Sequence, residues 1–170
     1  MRNAITTSRR GNSLLQAILW AGFICGSLDI TFACIDAYAR SGVTPERVLR
    51  YVASGLLGKD AFQGSGWFAF AGLLIHYAIA YTFTIFFFLV YPAIKVLWIN
   101  RAITGIMYGI FVWLVMNLAV VPLTRVPKGT FHLDRALLGG FILIIAIGLP
   151  LSFLAHKYYA TKNINEVLET

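Results

Sequence analysis

Three side chains sit where an apolar sequence should not carry them. Asp29 interrupts the run LLQAILWAGFICGSLDITFACIDAYA, His76 lies inside WFAFAGLLIHYAIAYTFTIFFFLVY, and Asn117 is the strongly polar residue in the middle of a third apolar run. A charged group at the centre of a bilayer-spanning helix costs at least about 2.5–3.5 kcal/mol, so such residues need a reason to be there. A carboxylate and an imidazole at one level can relay a proton or grip a polar ligand. The same residues can equally clamp helices in register through hydrogen bonds of about 0.6–2 kcal/mol per contact.

Depth argues that the three belong together. Counted from the centres of their runs, Asp29 lies about three residues past the first, His76 about three before the second, and Asn117 about four past the third, which at 1.5 Å per residue is one layer roughly 5 Å off the midplane. Successive spans run antiparallel, so all three offsets point toward the same membrane face. Asp29, His76 and Asn117 are therefore expected to converge in the interior, directly or through a water.

Small residues should turn these side chains inward. Gly22, Gly26, Asp29, Ala33 and Asp36 recur at four-three spacing on one stripe, and Arg40 extends it within reach of Asp36. Gly22 and Gly26 form a G-x-x-x-G pair, as do Gly105 and Gly109, a pattern that lets helices approach closely. Ala69, Gly72, His76 and Ala80 make a comparable stripe, and Gly139 and Gly140 give a fourth close-approach point.

The elements that position these residues follow from composition. Of 170 residues, 59% are hydrophobic and only 12% charged, about half the charge of an ordinary soluble domain. A backbone facing lipid must satisfy its own hydrogen bonds, which leaves helices or a closed barrel. The runs are too long, and lack the alternation, for barrel strands. The chain reads as an all-α polytopic membrane protein with a single transmembrane domain. Its four transmembrane helices are expected at about 14–39, 67–91, 102–124 and 135–158. Residues 44–57 are too short to cross. Thr44-Pro45-Glu46 has the form of a helix start, and Val48, Leu49, Val52, Leu56 and Leu57 fall on one face, opposite Arg47, Arg50 and Ser54. That describes a short amphipathic helix at the membrane interface or capping the bundle.

The net charge of +7 is dispersed over loops and termini, which fits lipid head groups and not nucleic acid. The basic residues divide evenly between the two sides. Arg9 and Arg10, immediately before the first span, favour both termini in the cytoplasm. Cys25 and Cys34, nine residues apart on one helix, lie about 13.5 Å from each other and cannot bridge. His132 reads as an interfacial loop residue. The sequence has no H-E-x-x-H, G-x-S-x-G, P-loop or haem-attachment motif. No cofactor or metal is expected, and a non-enzymatic protein is favoured.

The stretches GSLDITFA (26–33), GVTPERVLRYVASGLLGKDAFQGSG (42–66), GLLIHYAIAYTFTIFFF (72–88) and YGIFVWLVMNLAVVPLT (108–124) resemble, in order and spacing, a family of small, uncharacterised four-helix bacterial inner-membrane proteins. The resemblance implies the architecture and a bacterial inner-membrane location, and assigns no activity. Two functions remain open. One is an accessory, structural or assembly subunit packed against other membrane subunits or copies of itself. The other is a proton-coupled transporter or channel with Asp29 and His76 in the path.

Overall fold

Ser13 starts the first helix with a reciprocal cap: its Oγ accepts from the Gln16 N–H at 3.2 Å, and the Gln16 Oε1 accepts from the Ser13 N–H at 3.2 Å. From there α1 runs over Leu14–Ser41, 28 residues, and ends at Gly42, whose φ of 62° is the left-handed conformation of a helix stop. At about 42 Å, α1 exceeds a hydrocarbon core of about 30 Å. The computed structural model describes residues 13–63, 65–98, 100–125 and 133–168. Arg9, Arg10 and His132 lie outside them.

The described residues are all-α. After α1 come α2 (Pro45–Leu57), a short 3-10 segment (Gly58–Phe62), α3 (Trp67–Val90) and two further 3-10 segments (Tyr91–Ala93 and Lys95–Trp98). Next are α4 (Arg101–Val115), a wide π turn (Met116–Val120) and α5 (Val121–Leu123). The last are α6 (Leu133–Leu143), a second π turn (Ile144–Gly148) and α7 (Leu149–Leu168). Four helical stretches are long and apolar enough to cross a membrane: Leu14–Ser41, Trp67–Ala93, Arg101–Leu123 and Leu133–Ile164.

Each π turn has a proline just beyond it. Proline lacks an N–H, and its ring presses on the carbonyl four residues earlier. For Pro122 and Pro150 those carbonyls belong to Leu118 and Ala146, each inside a π turn. The helix widens there, and the Val121 and Leu149 N–H groups reach back five residues, to the Met116 and Ile144 carbonyls.

The main hydrophobic core lies at one end of the bundle. There the N-terminal half of α1, the C-terminal half of α3, α4 and α7 enclose Cys25, Phe87, Phe88, Tyr91, Val112, Leu151 and Ala155. A smaller buried contact joins α2 to the start of α3 at Ala53, Ser54, Ala69 and Gly72. In α1 the buried residues stop at Gly26; in α4 they stop at Val112. The first π turn, α5 and α6 bury none.

Helix α2 packs on α3 differently from its apolar pattern. Its buried residues are Ala53, Ser54 and Gly55, whereas Leu56 and Leu57 are exposed. The reason is steric. Gly72 of α3 receives the α2 backbone at Leu49 and Ala53, a contact so close that only small side chains fit beside it. Ser54, expected on the polar face, is fully buried and donates to the Tyr51 carbonyl at 2.7 Å. Thr44 stands at the cap position but makes no side-chain cap bond. The Arg50 guanidinium ties the turn into α3, bonding Glu46 at 2.8 Å and the Ala61 and Ser65 carbonyls at 3.3 and 3.2 Å.

Candidate functional site

The α1–α3 seam brings His76 to α1. Gly22 has the Tyr81 ring against it, and Gly26 has the Tyr77 ring at 3.0 Å from where a Cβ would stand. Any side chain at either glycine would push the rings away. The two tyrosines then reach α1 with their hydroxyls: Tyr81 donates to the Leu19 carbonyl at 3.1 Å, and Tyr77 shares a 2.8 Å bond with Ser27 Oγ. Next to Tyr77 on α3, His76 is buried with its Nε2 2.8 Å from the Gly26 carbonyl oxygen. A carbonyl only accepts, so Nε2 is the donor in this bond.

Asp29, one turn beyond Gly26, is half-buried and within coulombic range of His76 and Cys25. Among the described residues its carboxylate has no hydrogen bond and no ion pair. The two groups share a neighbourhood without a direct bond between them.

Asn117 does not join them, which corrects the expected three-residue convergence. It lies in the first π turn, is exposed on the outside of the bundle, and donates from Nδ2 to the Trp113 carbonyl of its own helix at 2.8 Å. The depth count compared positions along the membrane normal and carried no information about which way the helix faces. A side chain bonding back to i−4 takes a carbonyl from the backbone ladder, which suits a widened turn.

Three further glycines, Gly105, Gly109 and Gly148, let a second pair of helices meet closely. At Gly105 a Cβ would meet the Leu149 Cα at 2.8 Å and the Gly148 carbonyl at 2.9 Å; at Gly109 it would meet the Ile144 Cα at 2.5 Å. Gly148, which the sequence reading did not single out, is the reciprocal partner, pressed on the Gly105 carbonyl. Its signal was available as a glycine two residues before Pro150, where a wide turn and a close crossing coincide. Gly139 and Gly140 have only ordinary contacts, with Trp113 at 3.6–3.8 Å.

A second polar group, at the closed end, also escaped the sequence reading. Tyr91 Oη bonds His156 Nδ1 at 3.0 Å, Trp98 Nε1 donates to the Tyr91 carbonyl at 3.3 Å, and Tyr159 donates to the Phe88 carbonyl at 2.6 Å. These polar tips are spent on packing. A cleft of about 310 Å³ at the start of α2 is lined by Thr44, Glu46, Arg47, Arg50 and Phe62. Cys25 and Cys34 are free thiols. No group of three or more His, Cys, Asp or Glu comes together among the described residues. Comparisons with protein families, with curated proteins and with solved structures found no match, so the functional reading rests on the residues of this chain.

Proposed function

We propose that this chain is a multi-pass protein of the bacterial inner membrane, both termini in the cytoplasm, that serves as an accessory or assembly subunit. In this reading α2 lies along the membrane surface, lipid covers part of the outside, and other membrane subunits cover the rest. One observation carries it: the first π turn, α5 and α6 bury no residue, although they belong to spans whose other halves contribute to the buried core. A helix pair in lipid gains little from apolar contact alone, because lipid tails are as apolar as leucine. Polar groups on that open side, Asn117 and the Asp36–Arg40 pair, add a reason for protein and not lipid to face it.

The test is purification from native membranes in mild detergent, with intact-mass analysis of the species that elute. The expected result is a stoichiometric assembly with at least one further membrane chain. A preparation that runs as this chain alone overturns the subunit reading.

A second reading has its own support in the Asp29 carboxylate, half-buried in a span near His76 and without a described partner. As a proton-coupled transporter or channel, the protein would carry protons through this pair. Reconstituted liposomes with an interior pH dye separate the two readings. Under the subunit reading wild type and Asp29→Asn show the same passive leak; a wild-type flux that Asp29→Asn abolishes would favour transport.

A further inference from the structure

We propose that two copies of this chain pair side by side through the third span, with the Asn117 amides hydrogen-bonded to each other. The inference rests on the subunit reading, in which protein covers part of the outside of the spans, and names what covers one part of it. Ile103, Met107, Ile110, Leu114 and Asn117 follow one another at spacings of four, three, four and three, the repeat of a helix–helix seam. A core helix would hide such a stripe. Here all five are exposed, the four apolar ones at 39–61% of their surface. Facing away from this stripe, Thr104, Gly105, Tyr108, Gly109 and Val112 are buried in the bundle.

Asn117 decides what the stripe meets. Six residues short of Leu123, it lies about 9 Å inside the end of the span, within the hydrocarbon. One amide N–H is used on the Trp113 carbonyl. The other N–H and the Oδ1 point to no described residue, so one donor and one acceptor remain, and lipid tails satisfy neither. A second copy inserted the same way satisfies both. A two-fold axis along the membrane normal leaves every residue at its own depth, so Asn117 meets Asn117, and each donor faces the other's acceptor. A single asparagine within such a seam also fixes register and copy number. Asn117 lies at the start of the π turn, which re-phases the helix after it, so the seam ends where the amides meet.

Subunit counting of the full chain in liposomes, by single-molecule photobleaching over a series of protein-to-lipid ratios, tests the pairing. Wild type is expected to be dimeric until diluted. Asn117→Leu removes both bonds of the pair and should raise the dissociation constant roughly 10- to 1,000-fold, the range of two hydrogen-bonded contacts between membrane helices. Leu114→Trp, which blocks the seam and spares the amide, should also dissociate the pair, and Thr82→Leu on the exposed side of α3 should not. A wild type that is monomeric at every ratio overturns the pairing, and so do Asn117→Leu and Leu114→Trp proteins that dimerise like wild type. The subunit reading fails separately. A complex from native membranes with one copy of this chain keeps that reading and sinks the pairing, whereas a homodimer with no other chain does the reverse.

Discussion

The two halves of the bundle use their polar groups in opposite ways. At the closed end, side-chain hydroxyls cross to other segments. Tyr108 donates to the Phe83 carbonyl at 2.6 Å, Tyr159 to Phe88 at 2.6 Å, Ser152 to Arg101 at 2.8 Å, and Thr104 to Leu97 at 3.0 Å. Around the first π turn, α5, α6 and the end of α1 the side-chain bonds stay at home. Asn117 returns to Trp113, and Arg40 pairs with Asp36 at 2.6 Å on its own helix. Among the described residues, the links to other segments are a long 3.8 Å ion pair from Arg40 to Asp134 and one backbone bond, from the Arg125 N–H to the Gly55 carbonyl at 2.9 Å. Hydroxyls aimed at carbonyls of another helix fix distance and rotation together, and a glycine backbone contact does the same sterically. The first π turn, α5 and α6 have neither among the described residues, whereas α2 at the same end is fixed to α3 by the backbone contact at Gly72.

The sharpest way to break this contrast is at Gly148. Its missing Cβ would collide with the Gly105 carbonyl and stand 2.9 Å from the Gly109 nitrogen, both backbone atoms of a packed helix. Gly148→Leu is expected to cost about 3 kcal/mol, at the upper end of overpacking effects. Thermal unfolding in detergent, followed by helical circular dichroism, measures it. A variant as stable as wild type would mean that the α4–α7 contact does not hold the closed half.

How far this division could be read in advance depends on what each signal encodes. Length and apolar content give the four helices long and apolar enough to cross a membrane, because a backbone facing lipid would have no alternative at that length. The stripes containing Gly22, Gly26, Gly72, Gly105 and Gly109 lie where backbones or rings come close, since a missing Cβ is a steric statement that survives from sequence to contact. Rotation about the helix axis is different. Depth along the runs alone groups Asn117 with Asp29 and His76, yet it continues the exposed stripe Ile103, Met107, Ile110 and Leu114, opposite the face that Gly105 and Gly109 bury. Helix α2 misled for a related reason: its hydrophobic pattern marks a face for apolar surroundings, and in a membrane those can be lipid as readily as protein. Leu56 and Leu57 therefore face out while Ala53 and Ser54 face in.

A smaller effect sharpens the comparison from within the closed half. Tyr108 is buried, with its ring 4.4 Å from that of Phe87 and its hydroxyl on the Phe83 carbonyl. Tyr108→Phe keeps the ring and removes one hydrogen bond, leaving no buried donor without a partner. A loss of about 0.5–1.5 kcal/mol is expected in the same unfolding measurement. No loss would mean that ring packing alone, without the crossing hydroxyls, holds this end.

The smallest effect is expected at Gly140, and it separates the open half from the closed one most directly. A Cβ there would find Trp113 at 3.6 Å, an ordinary contact that asks nothing to move. Alanine also forms helix more readily than glycine, by up to about 1 kcal/mol. Gly140→Ala should therefore leave the isolated chain unchanged or slightly more stable, where leucine at Gly148 disrupts it. The same variant can be read a second time in the assembly from native membranes. If a partner packs against this part of α6, the added methyl group meets it, and the complex weakens while the isolated chain does not. A drop in the stability of the isolated chain would contradict the contrast itself, because it would show α6 already packed as tightly as α7.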